Sequence, residues 1–253
     1  MKYNDWFVST FEKNKNFKKN RIFLFPYAGG GVSSFKNWQD KFENTELICA
    51  QYPGRESKIS EEPLNNLDKL ISTLYDYITP LINEDIPYYF FGHSFGTKVV
   101  YELVLKIQKN NLKMPSGIVL SAGKAPCYKE ENPIYHLDNV KFLQQLKRFS
   151  SIPEELISNM DIMNLFIRMI KADFEMDEKY LKKDIIPINC PIIAFMGSDD
   201  KEIRLQELLK WKHYTSKSFN YKIIKGSHMF INTNKDKVVN NIKKFIQGVE
   251  DAK

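Results

Sequence analysis

The chain has 253 residues, of which 43% are hydrophobic and 27% charged, and this composition excludes a disordered or collagen-like polypeptide. No apolar run approaches the roughly 18 residues of a membrane span, and the charged first twenty residues predict no secretion signal. Three cysteines without C-x-x-C spacing exclude a disulfide framework or zinc ribbon. We therefore expect one domain over residues 1–253 in the cytoplasm, monomeric and without membrane contact.

The formal net charge is +6, and lysines spread along the whole chain carry most of it. One basic cluster lies at residues 13–21. A solvated lysine-rich surface is the preferred interpretation, and attraction to an acidic partner is the alternative. Nucleic-acid binding is not expected, because no nucleic-acid motif accompanies the charge.

Six short apolar runs predict strands that are covered on both faces, as in a parallel sheet. They are Arg21–Phe25, Leu47–Gln51, Tyr88–Phe91, Gly117–Ser121, Ile192–Met196 and Tyr221–Ile224. Helical patterns lie between them, over Leu64–Ile82, from Gly96 to Ile107 and over Val238–Val249. The alternation predicts an α/β fold with a mostly parallel central sheet and helices on both faces.

The stretch over residues 132–183 interrupts this alternation, because it contains no predicted strand. It is typical of two or three amphipathic helices, including Val140–Phe149, Pro153–Met160 and Met163–Phe174. A helical lid inserted over the sheet is the preferred interpretation, since ligands bind at the carboxyl ends of parallel strands. A subdomain that only adds stability is the alternative.

Four of the eight methionines fall within this helical stretch. Core packing is the first role to expect of them, and a flexible surface for several acyl groups is the second. The four are Met160, Met163, Met169 and Met176.

The strongest chemical signal is Gly92–Gly96, with the sequence G-H-S-F-G. It follows the strand Tyr88–Phe91 and opens a helix, which is the context that a nucleophile elbow requires. Such a turn lifts the serine hydroxyl clear of the sheet, and its glycines let strand and helix approach closely. We therefore predict Ser94 as the nucleophile, whereas His93 is badly aimed to serve as its base.

A serine nucleophile needs a base and an acid that orients the base, in the chain order Ser, acid, His on this fold. His228 follows the last predicted strand, while His136 and His213 lie in helical stretches. The acid should follow the strand Ile192–Met196, where Asp199 and Asp200 are adjacent. We favour Asp200 and leave Asp199 open.

An oxyanion hole would complete the site. The backbone N–H of Phe95 is one predicted donor, because it directly follows the nucleophile. The second donor should come from the loop after Arg21–Phe25, where Ala28 is preferred and Tyr27 is second. A phosphate-binding loop is disfavoured, because no Gly-Lys-Ser/Thr follows the glycines. The predicted chemistry requires neither a metal nor a cofactor.

With these residues placed, the sequence resembles the type II thioesterases, free-standing α/β-hydrolases that serve nonribosomal peptide and polyketide synthases. The resemblance runs almost end to end. It rests on Leu24–Gly30, Tyr52–Arg55, Gly92–Gly96, Ala172–Phe174, Gly197–Asp200 and Gly226–Phe230.

This resemblance implies an α/β-hydrolase fold and hydrolysis of acyl groups from the phosphopantetheine arm of a carrier protein, so clearing misprimed or stalled synthases. The partner would be an acyl or peptidyl carrier protein, typically acidic, and the phosphopantetheine would belong to it. A general carboxylesterase or lipase is the alternative, because pocket and lid set substrate choice. A non-catalytic binding protein of the same fold is disfavoured by the presence of all three triad residue types.

Overall fold

The computed structural model describes residues 2–9, 19–147, 149 and 160–252. Most of the basic cluster at residues 13–21 lies outside the described residues. The same holds for the helix predicted over Pro153–Met160, of which only Met160 is described.

Seven strands within the described residues form one sheet, in the order β1-β3-β2-β4-β5-β6-β7. Only β1 is antiparallel to its neighbour, and the other pairs are parallel. The predicted mostly parallel sheet is therefore confirmed. The strands are β1 Phe7–Ser9, β2 Asn20–Phe25, β3 Thr45–Ala50, β4 Tyr88–His93, β5 Gly117–Ser121, β6 Ile192–Gly197 and β7 Phe219–Ile224.

Seven α-helices connect or follow these strands in the described part of the chain. They are α1 Leu67–Ile82, α2 Phe95–Lys109, α3 Asn139–Leu146, α4 Met160–Lys179, α5 Leu205–Leu209, α6 Phe230–Thr233 and α7 Lys235–Asp251. Four short 3-10 helices cover Val32–Phe35, Gln39–Lys41, Glu56–Lys58 and Lys210–Tyr214.

Successive side chains of a strand point to opposite sides of the sheet, and in the central strands both sets are buried. In β2, Phe23 and Phe25 pack into a cluster that contains the apolar faces of α1 and α2. Ile22 and Leu24 of the same strand pack into the cluster on the opposite face, with α7. Burial of each large apolar side chain stabilises the fold by about 1.5–3 kcal/mol, so both layers depend on these continuous apolar runs.

Helix α1 shows how the sequence fixes such a layer. Asn66 accepts the N–H of Lys69 at 2.8 Å and so caps the first turn. Leu70, Leu74 and Ile78 recur every four residues and are buried against the sheet.

Helices α3 and α4 lie between β5 and β6, where the sequence predicts the helical insertion over residues 132–183. The described part of this stretch contains no strand. Its side chains form a third apolar cluster, made by Ile134, Phe142, Leu146, Met163, Ile167 and Phe174. In the described ranges, no helix combines the length and apolar character needed to cross a membrane.

Candidate active site

Ser94 occupies the turn between β4 and α2, as the elbow pattern predicts. Its backbone has φ +51° and ψ −117°, in the region that favours glycine. A non-glycine residue held there costs about 1–3 kcal/mol, which the surrounding structure must offset. The Ser94 N–H donates to Ser121 O at 2.8 Å, and its carbonyl accepts the N–H of Thr97 at 2.9 Å. Neighbouring strand and helix thus hold the strained turn.

The two glycines of the elbow are required by close backbone contacts. A Cβ on Gly92 would lie 2.2 Å from the carbonyl oxygen of Gly96. A Cβ on Gly96 would lie 2.2 Å from the carbonyl oxygen of Phe25, at the end of β2. The start of α2 is therefore pressed against both β4 and the loop that follows β2.

His228 lies in the loop between β7 and α6. Its Nε2 atom is 3.0 Å from Ser94 Oγ, although 134 residues separate the two in the chain. The residue is only 5% exposed. Neither His136 nor His213 forms a hydrogen bond with Ser94 in the described structure. The structure thus places Ser94 next to His228, the histidine that was preferred because it follows the last predicted strand.

Asp200 faces the other ring nitrogen of this histidine. Its Oδ2 and Oδ1 atoms lie 2.9 and 3.2 Å from His228 Nδ1, and its side chain is completely buried. It also accepts the N–H of Glu202 at 2.9 Å. The Asp199 carboxylate instead accepts the hydroxyl of Ser198 at 3.0 Å. Of the two candidate acids, Asp200 is the one that contacts the histidine.

The hydrogen-bond chain has one direction if Asp200 is ionised, since a carboxylate can only accept. His228 Nδ1–H then donates to Asp200, which leaves Nε2 as the acceptor for the hydroxyl of Ser94. A hydroxyl hydrogen-bonded to a neutral imidazole is a nucleophile whose proton can be removed during attack. The arrangement can therefore perform nucleophilic acyl transfer.

The glycine loop, which we define as residues 26–31, lies beside this elbow because β2 and β4 are paired, with Phe25 opposite Gly92. Gly29 has φ +79°, and the Gly30 N–H donates to Tyr27 O at 2.8 Å, closing a tight turn around Ala28. Within the described residues, the N–H groups of Ala28 and Phe95 have no acceptor. Both predicted oxyanion donors are thus unpaired at the same edge of the sheet.

His93 is buried beneath the site rather than lining it. Its Nδ1 atom lies 2.9 Å from Ser121 Oγ, and its ring packs against Tyr27 and Phe230. Burial, with a smaller contribution from nearby His228, holds the pKa of His93 well below its usual value. His93 is therefore a neutral packing residue at physiological pH.

A cavity opens beside Ser94 and His228, and charged side chains form much of its described lining. Two ion pairs neutralise part of this charge, Lys98 with Asp177 at 2.7 Å and Lys124 with Glu130 at 2.9 Å. The lining comprises Ala122, Gly123, Phe149, Phe174 and Ile203 together with Lys98, Lys124, Glu130, Asp177, Glu178 and Glu202.

These charged groups could not be singled out from the sequence, because ionisable residues on helices and loops are usually solvated. Three of the four methionines of the insertion have the packing role expected of them, and the side chain of Met160 lies outside the described residues. Met163, Met169 and Met176 are buried, and none of these three lines the described cavity.

Glu178 is the most perturbed carboxyl group of this lining. It accepts the backbone N–H groups of Ile134 and Tyr135 at 2.8 to 2.9 Å. Burial raises the pKa of Glu178 to about 7, opposed by these hydrogen bonds and assisted by the nearby charges of Asp177 and Glu130. The carboxyl therefore titrates near neutral pH. In the described ranges, no group of three or more His, Cys, Asp or Glu residues could hold a metal ion.

Comparison with known proteins places this site in a family. A sequence profile of the thioesterase domain matches residues 20–246. The chain is 33% identical over 241 residues to the gramicidin S biosynthesis protein GrsT of Aneurinibacillus migulanus, covering 93% of this chain and 91% of that protein. It is 26% identical to thioesterase PikA5 of Streptomyces venezuelae, covering 92% and 84% of the two chains.

Solved structures agree on the architecture. YbtT, a type II thioesterase from the yersiniabactin biosynthetic pathway, superposes with a TM-score of 0.88 at 24% identity, covering 96% of this chain and 99% of that chain. RedJ, a thioesterase of prodiginine biosynthesis in Streptomyces coelicolor, gives a TM-score of 0.82 at 24% identity, with coverages of 89% and 85%.

The parallel sheet with its elbow, the helical connection between β5 and β6 and these likenesses define an α/β-hydrolase fold. The chain belongs to the thioesterase family, and the predicted resemblance to type II thioesterases is confirmed. It is therefore an enzyme of the thioesterase class, which the comparisons favour over a general carboxylesterase.

Proposed function

We propose that this protein is a serine thioesterase that removes acyl groups from the phosphopantetheine arm of carrier proteins, and so clears misprimed or stalled nonribosomal peptide or polyketide synthases. The observation that carries the proposal is the buried chain of hydrogen bonds from Asp200 through His228 to Ser94. The similarity to GrsT and PikA5 supports the setting in synthase pathways.

In the first half-reaction, Ser94 Oγ attacks the thioester carbonyl carbon while His228 Nε2 takes the hydroxyl proton. The N–H groups of Ala28 and Phe95 donate to the oxyanion that forms. Each such donor is worth roughly 3–4 kcal/mol in the transition state. The carbon–sulfur bond then breaks, the pantetheine thiol leaves with the proton from His228, and the acyl group stays on Ser94.

In the second half-reaction, His228 takes a proton from water, and the resulting hydroxide attacks the acyl-serine ester. Collapse of the second oxyanion returns the proton to Ser94 and releases the carboxylic acid. Asp200 keeps the His228 ring oriented throughout and stabilises its transient positive charge.

The nucleophile is tested by labelling and substitution. A fluorophosphonate probe should modify Ser94, and peptide mass spectrometry locates the adduct. Ser94→Ala should lose several orders of magnitude in turnover of a short acyl-carrier thioester while keeping its circular dichroism spectrum, because the change removes no core volume. An adduct at another residue, with Ser94 unmodified, would refute the assignment.

A further inference from the structure

Arg55 and Asp173 form a buried ion pair between two segments that are 118 residues apart. The Arg55 Nη1 and Nη2 atoms lie 2.6 and 2.8 Å from Asp173 Oδ2 and Oδ1. The two side chains are 4% and 1% exposed. Such a two-pronged contact fixes direction as well as distance. It joins the loop after β3 to the middle of α4.

The same two side chains also bind the backbone of the glycine loop. Asp173 Oδ2 accepts the N–H of Gly29 at 2.8 Å, and Arg55 Nη1 donates to the carbonyl of Gly30 at 2.9 Å. The pair therefore has a partner on each of two consecutive residues of this loop. Ala28, whose own N–H has no acceptor in the described part of the chain, directly precedes them.

A second residue of α4, Ile170, also limits the space around the loop. Gly29 has φ +79°, and an added Cβ there would lie 2.9 Å from Ile170 Cγ1 of α4. Arg55 is itself fixed, because Nε donates to Pro53 O at 3.3 Å and its guanidinium lies over the ring of Tyr52. A shift of the loop would break hydrogen bonds to two buried charged groups, which is unfavourable.

A backbone donor accelerates acyl transfer only if it already points to where the oxyanion forms. A displacement of about 1 Å in a catalytic group can lower the rate about 100-fold. We propose that Arg55 and Asp173 are positioning residues, which hold the glycine loop so that the Ala28 N–H meets the oxyanion. This inference rests on the proposed function, because that function assigns the donor role to Ala28.

The test uses Arg55→Lys and Asp173→Asn in the full chain, with acetyl-pantetheine and p-nitrophenyl acetate as probes. Lysine cannot make the two-pronged contact, and asparagine loses the charge while keeping the shape. Both variants should lower kcat about 10- to 100-fold on both probes, with KM changed less than about threefold. The effect should be equal on the two probes, because an oxyanion forms with each.

Arg21→Lys is the matched control. Arg21 forms a second buried ion pair, with its Nε 2.9 Å from Glu46 Oε2 and side chains 3% and 1% exposed. It lies at the opposite end of β2 from the glycine loop. This variant should lower the urea midpoint as Arg55→Lys does, yet keep kcat within about threefold of wild type. Equal kcat in Arg55→Lys and Arg21→Lys would overturn the proposal.

Amide hydrogen exchange tests the contact between the Gly29 N–H and Asp173 in the wild-type protein, so the result does not depend on the folding of a variant. The Gly29 amide should exchange at least about 100-fold more slowly than amides of exposed loops, since its N–H is bound to a buried carboxylate. Exchange at the rate of exposed loops would overturn the proposal. Ser94→Ala is assayed alongside to separate the two failures. Activity that survives in it would refute the proposed function itself, whereas loss of activity in it together with an unchanged kcat in Arg55→Lys would overturn only the positioning role.

Discussion

At the scale of the residue, Asp199 and Asp200 offer a matched pair, because they are adjacent and only one contacts His228. Asp200→Asn should lower kcat by about 10³- to 10⁴-fold, since an amide favours the wrong tautomer of the histidine. Asp199→Asn should keep kcat within about threefold. Steady-state kinetics on an acyl-pantetheine thioester measures both. If Asp199→Asn had the larger effect, the two roles would have to be exchanged.

Glu178 gives a second prediction at this scale, through the pH dependence of stability. Its pKa of about 7 lies above the ordinary value of 4.5, so the folded state binds more protons than the unfolded state between these pH values. Its contribution to stability is therefore fully present below about pH 4.5 and is lost as pH rises through 7.

Glu178→Gln removes this titration and keeps the shape of the side chain. The free energy of unfolding of the variant minus that of wild type should increase by roughly 1–3 kcal/mol between pH 5 and pH 8.5. Urea denaturation at the two pH values measures it, and subtraction removes the contribution of other groups such as His93. A difference that stayed constant with pH would show that Glu178 has an ordinary pKa.

The sequence could indicate the proposed triad because each member follows a strand within a recognisable local pattern. The position of Asp200 three residues past Gly197 sufficed to prefer it. The contact of Arg55 with Asp173 could not be read in the same way, because it joins segments far apart in the chain. Tyr52–Arg55 and Ala172–Phe174 stood out only as motifs of similar proteins.

At the scale of the element, the elbow depends on the approach of α2 to β2, and two helical glycines test this. Gly96→Ala should lower the free energy of unfolding by about 1–3 kcal/mol, because its Cβ would lie 2.2 Å from a carbonyl oxygen. Gly248→Ala in α7 should instead raise it by about 0.5–1 kcal/mol, since a Cβ there meets nothing within 4 Å. Denaturant titration measures both, and the same sign for both would contradict the close approach.

The sequence predicts a strand correctly where the strand is buried on both faces, because its residues then form a continuous apolar run. The predicted Gly117–Ser121 coincides with β5, and the predicted Tyr221–Ile224 begins two residues inside β7 because Asn220 interrupts the apolar pattern. Strand β1 was not predicted, because three residues give too short a pattern. Its pairing is set by tertiary contact with β3.

For the whole molecule, the net charge of +6 predicts that electrostatic attraction contributes to its association with an acidic carrier protein. Association with an acidic carrier should be steered electrostatically and therefore weaken with salt. Raising NaCl from about 50 to 500 mM should lower kcat/KM on an acyl-carrier thioester roughly tenfold, and on neutral acetyl-pantetheine less than twofold. Equal salt dependence on both substrates would argue against charge-guided docking.

We propose that Ser94 releases acyl groups from a carrier-bound arm. The most direct measurement presents one short acyl group on a carrier protein, on free pantetheine and as an oxygen ester, and follows acyl loss by mass spectrometry. We expect the highest kcat/KM on the carrier-bound thioester and almost no activity in Ser94→Ala. Equal or greater efficiency on the simple oxygen ester, or full activity in Ser94→Ala, would contradict it.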